Sequence, residues 1–361
     1  MNRGNILSLT ELNGAWMTDI DDTLVYSGEM PDDRKIDEIA EFIRILKKHN
    51  IIWVPMSGVA MVKLGPRILY RLPDDILSNV IYYGGDGSLK YMYNPGIHSW
   101  LEDKSFSSLF TEFQAYIILG DSEYRKAITE MNAADTGIDK GLDLNRKIEE
   151  IREILKEKGY QSTRCVLDVL KDELKKHGVD PNKSEAYFRG GSVSWMMLGD
   201  ISADPYHTAD NISFRKKLIE ISKKWLEDNG NLKSLGTTGI NVPFPGARGI
   251  KFVLSGNDKE RSAREMIKSF NLKPENVLFS GNELFDGGND NMIRNIDEVQ
   301  LLSVGDREDS GPCVINGRIK SKHSEIVGVE ANSMWMNYVI KHLESGEKWQ
   351  DILISLKDVQ L

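Results

Sequence analysis

Gly14-Ala15-Trp16-Met17-Thr18-Asp19-Ile20-Asp21-Asp22-Thr23 runs from small and apolar residues straight into a cluster of carboxylates. Such a run reads as a buried strand whose C-terminal end opens into a loop. Ile36, Ile39, Ile43 and Leu46 then recur at helical spacing, and Lys47, Lys48 and His49 place cations at that helix's negative end. A second buried-strand run, Ile51 to Met56, stops at Ser57-Gly58. A further helix to about Leu72, ended by Pro73, precedes a strand from Asn79 to Tyr83. This alternation predicts an α/β fold: a parallel sheet with helices on its faces.

The 361 residues exceed the usual size of a single core, so two domains are expected. With 40% hydrophobic and 28% charged residues the composition is that of an ordinary globular protein. No apolar run approaches the roughly 20 residues that cross a bilayer. The opening Met1-Asn2-Arg3-Gly4 leads into no secretory signal, which makes a cytoplasmic location the expectation. Two distant cysteines, Cys165 and Cys313, supply neither a disulfide framework nor a metal-ligand pair. A net charge of -9, spread along the chain, opposes nucleic-acid binding. A small anionic partner stays compatible with it, since local cations and helix N-termini outweigh distant acids.

Between Gly84-Gly85-Asp86-Gly87 and about Gly249 the pattern changes. Charged helical stretches over Arg146 to Lys158 and Val166 to Lys176 precede a hairpin signature, in which Gly190-Gly191 separates Glu185 to Arg189 from Val193 to Leu198. A helix follows from about Ser213 to Asp228, and the strand-and-helix alternation resumes at Lys259. We therefore expect a core of residues 1–88 and 250–361, interrupted by an α+β insert over 89–249. Trp195, Met196 and Met197 read as packing residues, and the helix ending near His342 and the tail from Gly346 as elements covering the core or a second subunit in a homodimer.

Four segments carry chemistry. In Asp19-Ile20-Asp21-Asp22-Thr23, Asp19 is placed to attack phosphorus and Asp21 to exchange protons with leaving group and water. Ser57, with Gly58, ends a strand where its hydroxyl and nearby N–H groups suit a phosphate oxygen. Lys259 opens a helix, a position unfavourable for a cation unless an anion is bound. Gly281-Asn282-Glu283-Leu284-Phe285-Asp286-Gly287-Gly288-Asn289-Asp290 offers hard oxygen donors of the kind Mg²⁺ takes. Taken singly, each segment is equally an acidic, capped or glycine-rich turn.

In this order, each at a strand end or helix start, the four segments resemble the haloacid dehalogenase superfamily of phosphotransferases. The resemblance implies a Rossmann-like core, a C2-type cap between the second and third motifs, a phospho-aspartate intermediate and Mg²⁺. Asp19 then matches the nucleophile and Asp21 the acid/base. Thr23, Ser57, Gly58 and Lys259 match phosphate-holding positions, and Asp19, Asp21, Asn282, Asp286 and Asp290 the metal site. Within the superfamily the chain is most similar to eukaryotic-type phosphomannomutases. Gly281 to Asp290 has their spacing, Gly256 to Lys259 resembles their Gly-Trp-Asp-Lys, and Glu185 to Leu198 resembles their cap hairpin, with Arg189 at a substrate-binding arginine.

Two departures shape the functional expectation. Asn282 replaces a metal-binding aspartate, and Asp200 stands where that family grips a distal phosphate with arginine. An acid there repels a second phosphate. The expected activity is therefore Mg²⁺-dependent hydrolysis of a small phosphorylated metabolite, a sugar-like phosphomonoester. A phosphohexose mutase and a catalytically weak phospho-ligand binder are the alternatives.

Overall fold

The computed structural model describes residues 12–59, 61–136, 144–160, 162–188, 191–196, 209–229, 240–242, 249–254, 256–285, 288–306, 311, 313–320 and 324–359. The chain divides into two compact units, Met1–Ser107 with Asp258–Leu361 and Ser108–Asn257. Residues 89–107 thus join the core instead of the insert, and 250–257 join the insert instead of the core. Strand pairing explains both shifts. The glycine-rich segment after Gly84 is a hairpin turn, across which Gly84 faces Leu89, and the strand beginning at Gly249 pairs with the insert's own sheet.

The core unit is built on strands β1 (Gly14–Asp19), β2 (Ile51–Met56), β3 (Ile81–Gly84), β4 (Leu89–Asn94) and β5 (Ser99–Glu102). It is completed by β10 (Val277–Gly281), β11 (Gln300–Ser303) and β12 (Val314–Asn316). These form one eight-stranded sheet in the order β12-β11-β10-β1-β2-β3-β4-β5. Pairing is parallel from β12 to β3 and antiparallel through β4 and β5. A short pair, β13 (Ile319–Lys320) and β14 (Glu325–Ile326), stands apart.

Helices α1 (Asp33–Lys48), α2 (Met61–Arg67), α3 (Asp74–Leu77), α8 (Lys259–Ser269), α9 (Gly328–Glu344) and α10 (Trp349–Ser355) belong to the same unit. Asp32 caps α1 by accepting from Lys35 N–H, and Ile36, Ile39, Ile43 and Leu46 form its buried face as their spacing predicts. The single helix expected up to Leu72 is instead α2, a 3₁₀ turn over Leu69–Arg71, and α3. Ile68 leaves helical geometry at φ -135° and breaks it.

Alternate residues of the central strands point to opposite faces. Trp16, Ile51 and Trp53 pack with residues of α1, α9 and α10, whereas Ala15, Met17, Ile52 and Val54 pack with Ala263 and Met266 of α8. Both sides of the sheet are covered, which is why its strands read as unbroken apolar runs. The tail beyond His342 is thereby placed: Trp335, Leu343, Trp349 and Leu353 all lie in the core. Trp16 donates its ring N–H to Ser280 Oγ (3.0 Å) and Trp53 to Thr18 Oγ1 (3.2 Å).

The order of strands creates a switch point. From β1 the chain proceeds outward to β2 and β3, returns at β10 on the other side of β1, and then runs the opposite way through β11 and β12. The loops after β1 and β10 depart in opposite directions at the carboxyl edge, the place where open α/β sheets hold ligands.

The inserted unit has its own architecture. Strands β6 (Glu185–Phe188), β7 (Ser192–Met196), β8 (Ile240–Asn241) and β9 (Gly249–Leu254) form an antiparallel sheet in the order β6-β7-β9-β8. The predicted hairpin is β6 with β7, Phe188 facing Val193. Helices α4 (Glu112–Thr136), α5 (Leu144–Glu157), α6 (Val166–Lys176) and α7 (Ala209–Asp228) complete the unit. A common core takes in Ile118 and Tyr124 of α4, Ile148 and Ile151 of α5, Leu170 and Leu174 of α6, Leu218 of α7, and Trp195 and Phe252 of the sheet. Gly120 bends α4 at φ 72°, and a Cβ there would meet Cys165 Sγ at 2.8 Å. Cys165 in turn caps α6 with Asp168 in a reciprocal box. Among the described residues no helix is long and apolar enough to cross a membrane.

Candidate active site

Asp19 is the last residue of β1, and the register places it opposite Met56 of β2 and one step beyond the Thr18–Ser280 pair with β10. It therefore stands at the switch point, with Ser57 and Gly281 following on the flanking strands. Hydrogen bonds from Leu24 N–H (2.9 Å) and Val25 N–H (3.1 Å) to Ile20 O turn the chain sharply after the strand. Asp22 takes the left-handed conformation (φ 58°) that this turn requires and is fixed by accepting from Ser27 N–H at 2.9 Å.

Lys259 and Asp290 meet Asp19 from far along the chain. Lys259, first residue of α8, donates through Nζ to Asp19 Oδ1 at 2.6 Å and to Asp290 Oδ1 at 2.5 Å. All three are buried: Asp19 is 8%, Lys259 2% and Asp290 0% exposed. The electrostatic mismatch of a lysine at a helix start is answered here by two carboxylates. Asp258 caps the same helix by accepting from Arg261 N–H at 2.7 Å, aiming its first turn at the site.

Asp290 is locked in turn. Its Oδ2 accepts from Glu283 N–H at 3.1 Å, and its own N–H donates to Glu283 O at 3.1 Å. Gly281 makes this possible, because a Cβ there would lie 2.4 Å from Asp290 Oδ2. A second contact joins the outer loops: Thr23 Oγ1 donates to Asn282 Oδ1 at 3.2 Å.

Burial pushes the Asp19 carboxyl well above the ordinary carboxylate range; Lys259 opposes this, while the charges of Asp290 and Asp21 reinforce it. For Lys259, burial by itself lowers the pKa, but Asp19 and Asp290 outweigh it and raise it. Both directions have one source. A single ammonium between two buried carboxylates neutralises one of them and leaves the other costly to ionise.

Ser57 is buried at the end of β2; its N–H donates to Tyr83 O (2.9 Å) and its Oγ accepts from Val59 N–H (3.0 Å). Among the described residues its hydroxyl hydrogen is given to no acceptor. Asp21 is engaged elsewhere than the Lys259 cluster: Arg67 Nη1 donates to its Oδ1 at 2.9 Å. Arg67 carries no signal in the sequence, standing 46 residues from Asp21 in an unremarkable helix. Asp286, Arg189 and Asp200 lie outside the described residues.

The donor set suits Mg²⁺. Asp19 and Asp290 supply hard carboxylate oxygens, and with Lys259 their formal charge is -1 - 1 + 1 = -1, a deficit that a cation relieves. Among the described residues no three His, Cys, Asp or Glu side chains gather as a ready-made cage.

No protein-family model matches the chain, and no curated protein matches it. Similar solved structures include an N-terminal truncated, IMP-bound IMP-nucleotidase of Plasmodium falciparum, at 12% identity over 93% of this chain and 70% of that one, TM-score 0.49. A trehalose-6-phosphate phosphatase related protein is 10% identical over 92% of this chain and 100% of that one, TM-score 0.45. The sucrose-phosphatase of Synechocystis is 11% identical over 92% and 99%, TM-score 0.45. What the coordinates themselves define is a Rossmann-like α/β core with a buried carboxylate–lysine–carboxylate cluster at its switch point.

Proposed function

We propose that this chain is a Mg²⁺-dependent phosphomonoesterase of the haloacid dehalogenase type, acting on a small, sugar-like phosphate ester through an aspartyl-phosphate. The observation that carries this reading is the shared Lys259 ammonium, which ties Asp19 at the end of β1 to Asp290 after β10. A cation held against a buried carboxylate at a switch point has the layout that phosphoryl transfer needs, where positioning and charge neutralisation are most of catalysis.

Asp19 attacks phosphorus in line with the ester oxygen, its burial giving a water-poor site. The P–O bond to the leaving group breaks, and Asp21 delivers a proton to the departing alkoxide. The Ser57 hydroxyl and the Gly58 backbone orient the phosphoryl oxygens, with Thr23 joining them once its hydroxyl turns from Asn282, while Lys259 follows the charge that develops on them. Asp21 then takes a proton from the water that cleaves the aspartyl-phosphate. Asp19 and Asp290, with Asp21, Asn282 and Asp286 nearby in sequence, would hold Mg²⁺, which when bound would supply further neutralisation of the transferring group. Substrate selection is assigned to the insert, with Arg189 as the substrate-binding candidate and Asp200 as an acid that disfavours a second phosphate.

The test is phosphate release from a panel of sugar and polyol phosphates with Mg²⁺, run beside Asp19→Asn. Turnover that falls by at least about 10³-fold in the variant is expected, since the covalent step is removed. Equal turnover in the variant refutes the assignment.

A further inference from the structure

Arg67 joins the acid/base carboxylate to the loop following it, and nothing in the motifs calls for it. The guanidinium is used on three sides: Nη1 donates to Asp21 Oδ1 at 2.9 Å, Nε to Glu29 O at 3.0 Å, and Nη2 to Tyr26 O at 3.0 Å. Its side chain is only 13% exposed. A cation serving merely to offset Asp21 needs one contact. Two further bonds to main-chain carbonyls fix the plane of the fork, and so fix where the third bond holds Asp21.

The loop gripped by Arg67 is braced independently. Asp22 accepts from Ser27 N–H, and Arg71 Nη1 donates to Pro31 O at 2.6 Å. Among the described residues Asp21 Oδ2 has no hydrogen-bond partner, so one oxygen is held and the other is left available on a side chain that is 27% exposed. That is the arrangement a carboxyl group needs to transfer a proton in a set direction.

We infer that Arg67 is a positioning residue for Asp21, orienting Oδ2 toward the leaving-group oxygen. The inference rests on the phosphatase reading above. In the step concerned the ester P–O bond breaks, its electron pair passes to the leaving oxygen, and that oxygen takes the proton from Asp21 Oδ2. Arg67 touches neither substrate nor phosphorus, and acts only through the carboxylate.

A leaving group that needs no proton separates this role from a structural one. The full chain and its Arg67→Ala and Arg67→Lys variants are compared by kcat/KM on β-glycerophosphate, whose alkoxide must be protonated, and on p-nitrophenyl phosphate, whose phenolate need not be. Thermal melts monitor folding. Arg67→Ala is expected to lose on the order of 10²-fold on the alkyl ester, but less than about tenfold on the nitrophenyl ester. Arg67→Lys should restore part of the difference. If Arg67→Ala does not stay folded at assay temperature, Arg67→Gln takes its place in the same comparison. Equal losses on both esters, or no loss on either, overturn the inference while leaving the phosphatase reading intact. A wild-type chain that hydrolyses neither ester overturns both.

Discussion

The two units bury their polar groups differently. In the core unit, charge is taken inside and concentrated at one edge of the sheet, where Asp19, Lys259 and Asp290 are all nearly inaccessible. In the insert, ion pairs such as Arg146–Glu150 and Arg152–Glu149 are exposed on helix surfaces, others such as Lys171–Glu123 join residues distant in sequence, and the buried charged side chains are Arg215 and Glu173, which belong to no carboxylate–lysine–carboxylate cluster among the described residues. Exposed pairs of this kind contribute little to stability, whereas a buried charge is costly unless matched. The core unit therefore carries a cluster of three buried charges that stability alone does not favour.

Removing the cation should give the largest effect. Lys259→Ala leaves Asp19 and Asp290 facing each other without it, and a loss of about 3–5 kcal/mol is expected in denaturant unfolding, together with loss of turnover. The double variant Lys259→Met with Asp19→Asn should recover much of that stability, which no independent pair of sites would do. If the single variant unfolds like wild type, the cluster is not a buried charge balance.

A smaller effect is set by pH. The Asp19 pKa is raised in the fold, so between the unfolded value of about 4 and the raised value the native chain holds a proton that the unfolded chain has lost. Stability is then greatest below that unfolded value and declines as pH rises through the window. In EDTA, Asp19→Asn should melt above wild type near neutral pH and lose the advantage near pH 4. An advantage that is the same at every pH would contradict the burial cost assigned to Asp19.

The mildest test concerns the insert. Burial pushes the Cys165 thiol up to about 12, and it caps α6 within the apolar core, whereas Cys313 is partly accessible. One thiol per chain should react with a disulfide reagent at pH 8 in the native state, and two in guanidinium. Two fast thiols in the native protein would show the insert to be more open than its packing implies.

Much of this was legible beforehand where the signal is local. The β1 run, the spacing of Ile36 to Leu46, the start of α8 at Lys259 and the hairpin around Gly190-Gly191 all depend on neighbours within a few residues. Strand pairing across a turn was harder: Gly84 to Gly87 reads as a break, yet it is the bend that returns β4 to the core sheet. The Lys259–Asp19 contact spans 240 positions and the Arg67–Asp21 contact 46. The first pair stood out because each member breaks a local rule, a carboxylate after a buried strand and a lysine at a helix start. Arg67 breaks none, and so gives no signal in the sequence.

By itself the sequence determined which segments are strands and helices and which residues are chemically out of place, because propensity, capping and periodicity act over a few residues. Only the tertiary structure decided that β10 returns beside β1 on the side away from β2, bringing Asp290 and Lys259 to Asp19, and that Arg67 grips Asp21. Strand order and side-chain partnership are settled by long-range packing of both sheet faces, which no short stretch of residues encodes.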